Sequence, residues 1–152
     1  MRKTLSKSEI SELNDSLFEK YGVQLLNKKD FIQNVDNLYL TVNGEVEFFM
    51  NEKQWLPALK LILKNNFLKP ITVDMGAIKF VISGADIMRP GIVAFDKGIS
   101  TGDVVVVIDQ QNKKPIAIGK ALFSSREIED FLQGRVVKTL HYVGDAIWKF
   151  TP

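Results

Sequence analysis

The chain has 152 residues, 45% of them hydrophobic, with 20 basic and 18 acidic side chains. This composition provides enough apolar material for a buried core and excludes a disordered chain. The absence of cysteine excludes a disulfide framework, a cysteine-ligated zinc site and thiol catalysis. The net charge of +2 does not decide whether a nucleic acid is bound, because binding depends on how the basic side chains cluster.

The first predicted element is an amphipathic helix. Ser6 and Glu9 have the spacing of a capping box, in which each side chain binds a backbone N–H at the start of a helix. Apolar residues then recur at helical spacing at Ile10, Leu13, Leu17, Phe18 and Tyr21. Gly22 favours a left-handed end to this helix.

A β-hairpin is predicted next, because alternating apolar residues flank Asn43-Gly44, a dipeptide that accepts positive φ at both central turn positions. The strands on either side are residues 38–42 and 45–50. A second helix is predicted over residues 55–64, with Pro57 in its first turn. The amino-terminal part of the chain is therefore expected to be α+β.

Residues 65–70, Asn-Asn-Phe-Leu-Lys-Pro, are expected to end this helix and to place a domain boundary between residues 1–69 and 70–152. Beyond it the pattern predicts a short helix over residues 76–83. The predicted strands are residues 71–73, 92–95, 103–109, 116–122, 135–142 and 148–150. Many short strands with one early helix are typical of a closed or nearly closed small β-barrel.

The glycine pattern of residues 70–152 is more specific than their strand pattern. It comprises Val73–Ile92 with Gly76, Gly84 and Gly91, then Gly102–Val107, then Pro115–Ala121. These spacings together closely resemble the PUA family. The resemblance implies a fold class of α+β, with an amino-terminal α+β pre-PUA domain followed by a PUA-type small β-barrel.

The whole chain is similar to archaeal pre-PUA/PUA proteins, to the eukaryotic malignant T-cell-amplified translation factor and to the amino-terminal part of ligatin. This similarity lies in the helix, hairpin and helix order of residues 6–64, in Ile87–Gly91 and in His141–Trp148. It implies a non-catalytic RNA-binding protein that contacts tRNA or small-subunit ribosomal RNA. It also implies the small ribosomal subunit and a separate translation-factor protein as partners.

In PUA domains that bind RNA, the contacts come from the first helix, the glycine-containing loop after it and the last strand. The resemblance therefore points to Gly76, Lys79, Gly84, Ala85, Asp86, Met88, Arg89, Pro90 and Lys149. Glycines allow a sugar-phosphate chain to approach the backbone, and Arg89 and Lys79 can neutralise phosphates. The alternative is that the glycines serve only to form the turns.

No catalytic, metal or cofactor site is expected. His141 is the only histidine, no local spacing supplies it with carboxylate ligands, and no nucleophile elbow is present. We expect His141 to pack at a strand end, where an imidazole hydrogen bond fixes the carboxy-terminal segment. Trp148 is expected in the core.

Two other interpretations remain open at this point: an enzyme or accessory subunit of tRNA or rRNA modification, and a protein-interaction adaptor. The amino-terminal residues 1–69 offer neither cysteine nor an evident acid/base pair, which argues against the enzyme. Because no apolar run has the length of a signal peptide core or of a spanning helix, we expect a cytoplasmic protein without a membrane partner.

Overall fold

The structure is a computed structural model that describes residues Met1–Pro152. The chain divides into two compact units, one of Met1–Phe67 with Phe150–Pro152 and one of Leu68–Lys149. The last residues belong to the first unit, where the Phe150 ring lies 4.6 Å from the Tyr39 ring between centroids. The expected α+β class is confirmed, since the chain contains helices and two mainly antiparallel sheets.

The first unit contains a five-stranded antiparallel sheet in the order of the chain. Its strands are β1 (Arg2–Thr4), β2 (Ile32–Val35), β3 (Tyr39–Val42), β4 (Glu45–Asn51) and β5 (Gln54–Pro57). Its helices are α1 (Lys7–Tyr21) and α2 (Leu59–Lys64). The buried core lies between α1 and the sheet and consists of Ile10, Leu17, Leu26, Ile32, Leu40, Val42, Phe48 and Leu61.

Helix α1 confirms the predicted signals at both ends. The Ser6 hydroxyl accepts a hydrogen bond from Glu9 N at 3.1 Å, and the Glu9 carboxylate accepts one from Ser6 N at 3.0 Å. Gly22 ends the helix at φ 71°. The predicted hairpin is also confirmed, with φ values of 50° at Asn43 and 90° at Gly44.

The predicted helix over residues 55–64 is wrong in its first half. Residues Gln54–Pro57 form strand β5 instead, in which Trp55 pairs with Met50 and Leu56 with Phe49. The helix begins only at Leu59. The chain reverses at Glu52 and Lys53, which both have positive φ although neither is glycine or asparagine. Pairing with β4 outweighs the local helical preference of this segment.

The second unit contains a six-stranded sheet in the order β7-β11-β10-β9-β6-β8, which curls into a nearly closed barrel. Its strands are β6 (Lys69–Val73), β7 (Ile87–Met88), β8 (Ile92–Phe95), β9 (Val104–Asp109), β10 (Pro115–Ala121) and β11 (Arg135–Tyr142). Strands β6 and β9 run parallel, and the other neighbours are antiparallel. The outer strands β7 and β8 are joined by a single 3₁₀ turn, Arg89–Gly91.

The helices of this unit are α3 (Ile78–Val81), preceded by the 3₁₀ turn Met75–Ala77, α4 (Ser125–Asp130) and α5 (Ala146–Lys149). The predicted strand over residues 148–150 is therefore wrong. Asp145 Oδ1 accepts a hydrogen bond from Trp148 N at 2.9 Å, which caps a helical turn there. Helix α4 was not expected, although Ser124 and Glu127 form a second capping box at its start.

A buried carboxylate on β4 should make stability depend on pH. Glu47 is 7% exposed, and burial raises its pKa above the ordinary value, although a hydrogen bond from Lys64 at 3.1 Å partly opposes the rise. The contribution of Glu47 to stability is therefore greatest below its unfolded pKa and is lost as pH rises through the folded pKa. We expect Glu47→Gln to become more favourable relative to wild type between about pH 4 and 7.

The matched control is Glu45→Gln, because Glu45 contacts the same lysine, Lys64, as Glu47 does. Lys64 Nζ lies 2.6 Å from Glu45 Oε2 and holds the pKa of that carboxyl below its usual value. The Glu45 contribution is therefore present above its unfolded pKa and is lost as pH falls. Urea unfolding from about pH 3 to 7 should show the Glu47→Gln effect as pH rises above about 4 and the Glu45→Gln effect, with the opposite sign, as pH falls below about 4. Parallel trends for the two variants would contradict the assignment.

Candidate nucleic-acid interface

The second unit carries a surface pocket of about 430 Å³ beside α3 and β7. It is lined by Asp74, Gly76, Ala77, Phe80, Val81, Ala85, Asp86, Ile87, Met88, Pro90 and Gly91. Five of the nine residues expected at an RNA surface line it: Gly76, Ala85, Asp86, Met88 and Pro90. A cavity of this size accommodates a small organic group such as a nucleobase.

The loop between β6 and α3 forms one wall of this pocket. Asp74 Oδ1 accepts a hydrogen bond from Ala77 N at 2.8 Å, which caps the 3₁₀ turn. Gly76 lies in this turn without positive φ, so its backbone conformation is open to any residue. A Cβ atom at Gly76 would lie 3.4 Å from Asp74 Oδ1, an ordinary contact. The local fold therefore does not require a glycine at position 76.

Gly84 is required by the structure of the loop that follows α3. Its φ is +92°, and a Cβ atom there would lie 3.1 Å from Cε1 of Tyr142. Gly84 N donates to the carbonyl of Val81 at 3.0 Å, and Ala85 N donates to that of Phe80 at 3.0 Å. Gly84 therefore forms a left-handed end to the helical segment, and the loop packs tightly against β11.

Asp86, which lines the pocket, is hydrogen-bonded to β11. One carboxylate oxygen accepts a hydrogen bond from Thr139 N at 2.9 Å, and the other accepts one from Arg135 at 3.1 Å. The Thr139 hydroxyl donates to the carbonyl of Ala85 at 2.9 Å. Both oxygens of Asp86 are therefore used within the protein, and the carboxylate partly neutralises Arg135.

The lip of the pocket, formed by Phe80 and Met88, is apolar and exposed. Phe80 is 58% exposed and Met88 is 49% exposed, although both are large hydrophobic side chains. Lys79 Nζ lies 5.1 Å from the centroid of the Phe80 ring, so a cation accompanies the aromatic face. Exposed aromatic and thioether groups beside a cation are suited to an unstacked base with its phosphate.

Phe80 was not among the residues expected from sequence. Ala77, Phe80 and Val81 are spaced three and four residues apart, so that they share one face of the helical segment, and all three line the pocket. This spacing is visible in the sequence and could have identified Phe80. Asp74 could have been found as the capping residue before the predicted helix.

The other expected residues lie outside the pocket lining. Lys79 and Gly84 directly adjoin lining residues, whereas Lys149 is an exposed residue at the end of α5. The sequence prediction placed Lys149 on the last strand, and the structure corrects this to a helical turn. Arg89 lies between two lining residues, Met88 and Pro90, but its side chain is bonded to backbone carbonyls of its own unit.

His141 has the structural role expected for it. The imidazole is 1% exposed, and its Nδ1 atom lies 2.9 Å from Asp145 Oδ2. Burial raises the pKa of Asp145, but hydrogen bonds from His141 and from the backbone N–H groups of Trp148 and Tyr142 outweigh it and lower the pKa overall. The pair therefore fixes the carboxy-terminal turn.

No group of three or more His, Asp or Glu side chains is arranged to hold a metal ion. No helix combines the length and the apolar character that crossing a membrane demands.

Two family models match the chain. Residues 69–143 match the PUA domain, and residues 1–65 match a domain of unknown function, DUF1947. The chain is 38% identical to an uncharacterized protein of Methanocaldococcus jannaschii, over 96% of this chain and 94% of that protein. The chain therefore belongs to the family of proteins in which an amino-terminal DUF1947, or pre-PUA, domain precedes a PUA domain.

Eukaryotic relatives carry names that refer to the translation machinery or to amplification in malignant T cells. The chain is 34% identical to Translation machinery-associated protein 20 of Saccharomyces cerevisiae, over 94% of this chain and 81% of that protein. It is 32% identical to Malignant T-cell-amplified sequence 1 of Rattus norvegicus, over 95% of this chain and 87% of that protein. The resemblance to this factor and to archaeal pre-PUA/PUA proteins is thereby confirmed.

Solved structures give the same fold. A hypothetical protein of Pyrococcus horikoshii superposes with a TM-score of 0.85 at 29% identity, covering 100% of both chains. An H/ACA ribonucleoprotein bound to a substrate RNA containing 2′-deoxyuridine matches with a TM-score of 0.52 at 26% identity, over 68% of this chain and 32% of that one. The chain matched in the ribonucleoprotein belongs to a complex that contains RNA.

Proposed function

We propose that this protein is a non-catalytic RNA-binding factor of the translation apparatus that contacts tRNA or small-subunit ribosomal RNA through the pocket beside α3 and β7. The pocket itself is the observation that carries the proposal, because exposed Phe80 and Met88 form an apolar lip next to the Lys79 ammonium group. Single-stranded ends and loops of RNA are recognised by such combinations of apolar faces and cations.

The family to which the chain belongs is a second line of support for this proposal. PUA domains bind RNA, and relatives that align with nearly the whole chain include a protein named for its association with the translation machinery. We infer from this that the protein acts in the cytoplasm, with the small ribosomal subunit and a separate translation-factor protein as partners. The side chains that line the pocket include two carboxylates but no hydroxyl, amine or imidazole group. The expected role requires neither a metal nor a cofactor.

The ligand in the pocket should be an unpaired base instead of a phosphate. Asp74 and Asp86 both line the pocket, and their negative charge disfavours a phosphate inside it. Lys79 lies outside the lining and is placed to meet the phosphate of a nucleotide whose base enters. The arrangement thus separates recognition of the base from neutralisation of the backbone.

The test is fluorescence anisotropy with tRNA, with and without its 3′ end, and with small-subunit ribosomal RNA fragments. We expect Ala85→Phe, which fills the pocket, to weaken binding of the preferred RNA about tenfold, equivalent to one lost base-stacking contact. Lys79→Glu should weaken binding and reduce the slope of log affinity against log salt by about 1. Lys114→Glu carries the same charge change on an exposed lysine outside the pocket and is the matched control.

Three outcomes would contradict the proposal. Absence of wild-type binding to both RNAs would favour a protein-interaction adaptor. Modified nucleosides recovered after incubation with RNA would favour an enzyme of RNA modification. Equal losses for Lys79→Glu and Lys114→Glu, together with no effect of Ala85→Phe, would place RNA elsewhere on the molecule.

A further inference from the structure

The side chain of Arg89 makes hydrogen bonds and an aromatic contact within its own unit. Its Nε atom donates to the carbonyl of Ile128 at 2.9 Å, and a terminal nitrogen lies 3.2 Å from the carbonyl of Ile92. The guanidinium carbon lies 5.6 Å from the centroid of the Phe95 ring. Its backbone N–H also donates to the carbonyl of Gly134 at 2.8 Å.

These contacts join separate parts of the chain to the pocket wall. Ile128 lies in α4, Ile92 begins β8, and Gly134 precedes β11. Arg89 itself opens the 3₁₀ turn between β7 and β8, where its neighbours Met88 and Pro90 both line the pocket. A displacement of Arg89 therefore moves two lining residues together.

The chemistry of this arrangement requires arginine. A guanidinium group presents several N–H donors in one rigid plane, so it reaches two carbonyl oxygens while its face lies against an aromatic ring. The positive charge near the last carbonyls of α4 is favourable for the helix dipole. A lysine retains the charge but cannot reproduce the planar fork.

We propose that Arg89 is a positioning residue that holds the wall formed by Met88 and Pro90, and that its charge is not used on an RNA phosphate. The inference rests on the proposed function for its consequence in RNA binding, although the geometry of the wall is independent of it. It replaces the expectation that Arg89 neutralises a phosphate.

The test compares Arg89→Lys with Arg89→Met in the full-length protein. The chain has four methionines, so the ¹³C-methyl signal of Met88 can be assigned with a Met88→Leu variant. In the absence of RNA, both Arg89 variants should shift the Met88 methyl signal. Both should then weaken binding of the preferred RNA to a similar extent, with the salt dependence unchanged from wild type.

Controls separate this role from loss of folding and from charge. Phe95→Leu leaves Arg89 in place but removes the ring beside it, and it should give a smaller Met88 shift in the same direction. Arg126→Lys, on an exposed residue of α4, should give no shift. Far-UV circular dichroism and the thermal midpoint establish that each variant is folded.

Wild-type affinity in Arg89→Lys, with a salt slope lower by about 1 in Arg89→Met, would overturn the inference in favour of a phosphate contact. An unmoved Met88 signal in both Arg89 variants would also overturn it. If wild type binds no RNA while the Met88 signal moves as expected, the proposed function fails and the positioning role stands.

Discussion

Replacing Gly119 with alanine is expected to lower the free energy of unfolding by about 3 kcal/mol. A Cβ atom at this position would overlap Cγ1 of Val137 and would lie 2.8 Å from the carbonyl oxygen of Lys138. The second of these is a backbone atom of the neighbouring strand, so no side-chain rotation relieves the contact. The register of β10 and β11 shifts between Ile118 and Gly119, which makes this the irregular point of the pairing.

Thermal unfolding monitored by circular dichroism would measure this loss, as a fall in the midpoint of about 10 °C. Gly76→Ala is the matched control, because the added methyl group at Gly76 makes only an ordinary contact and the backbone there is not left-handed. It should change stability by less than about 1 kcal/mol. Equal effects at the two positions would show that the packing of β10 on β11 is looser than described.

Replacing Asp145 with alanine is expected to cost about 3 kcal/mol. The carboxylate accepts hydrogen bonds from Tyr142 N and Trp148 N, each at 2.9 Å, and interacts with the buried His141 ring at the same distance. Its removal leaves the imidazole without this partner in a site excluded from water. Asp145→Asn should have an intermediate effect, since one amide oxygen remains as an acceptor.

The pH dependence of this loss has a definite sign. Hydrogen bonding lowers the pKa of Asp145, so its contribution to stability is fully present above its unfolded pKa and is lost as pH falls through the folded value. The stability difference between wild type and Asp145→Ala should therefore shrink below about pH 4. Asp130→Ala, on an exposed acid of α4, should change stability by no more than about 0.5 kcal/mol at any of these pH values.

Elements whose signals are local could be predicted from sequence. The capping box at Ser6 and the Asn43-Gly44 turn each specify backbone geometry within a few residues, and both are confirmed. The turn at Glu52 and Lys53 could not be predicted, because neither residue favours positive φ and the turn exists through the pairing of β4 with β5.

The candidate site is predicted here through a family resemblance, and only in part. The glycine spacing indicated the loop around Gly84, but it gave no indication of which side chains face solvent. Arg89 illustrates the limit, since its partner Ile128 lies 39 residues away in an element that was not predicted. Long-range contacts of this kind decide whether a cation is available to a ligand or is used within the fold.

The two outer strands of the barrel have a consequence for self-association. Strand β7 has two residues and β8 has four, and the turn of residues 89–91 joins them directly. The two strands at the ends of the sheet order are therefore short, and they offer another molecule little length on which to extend the sheet. We therefore expect these two strands to contribute little to edge-to-edge aggregation of the second unit at high concentration.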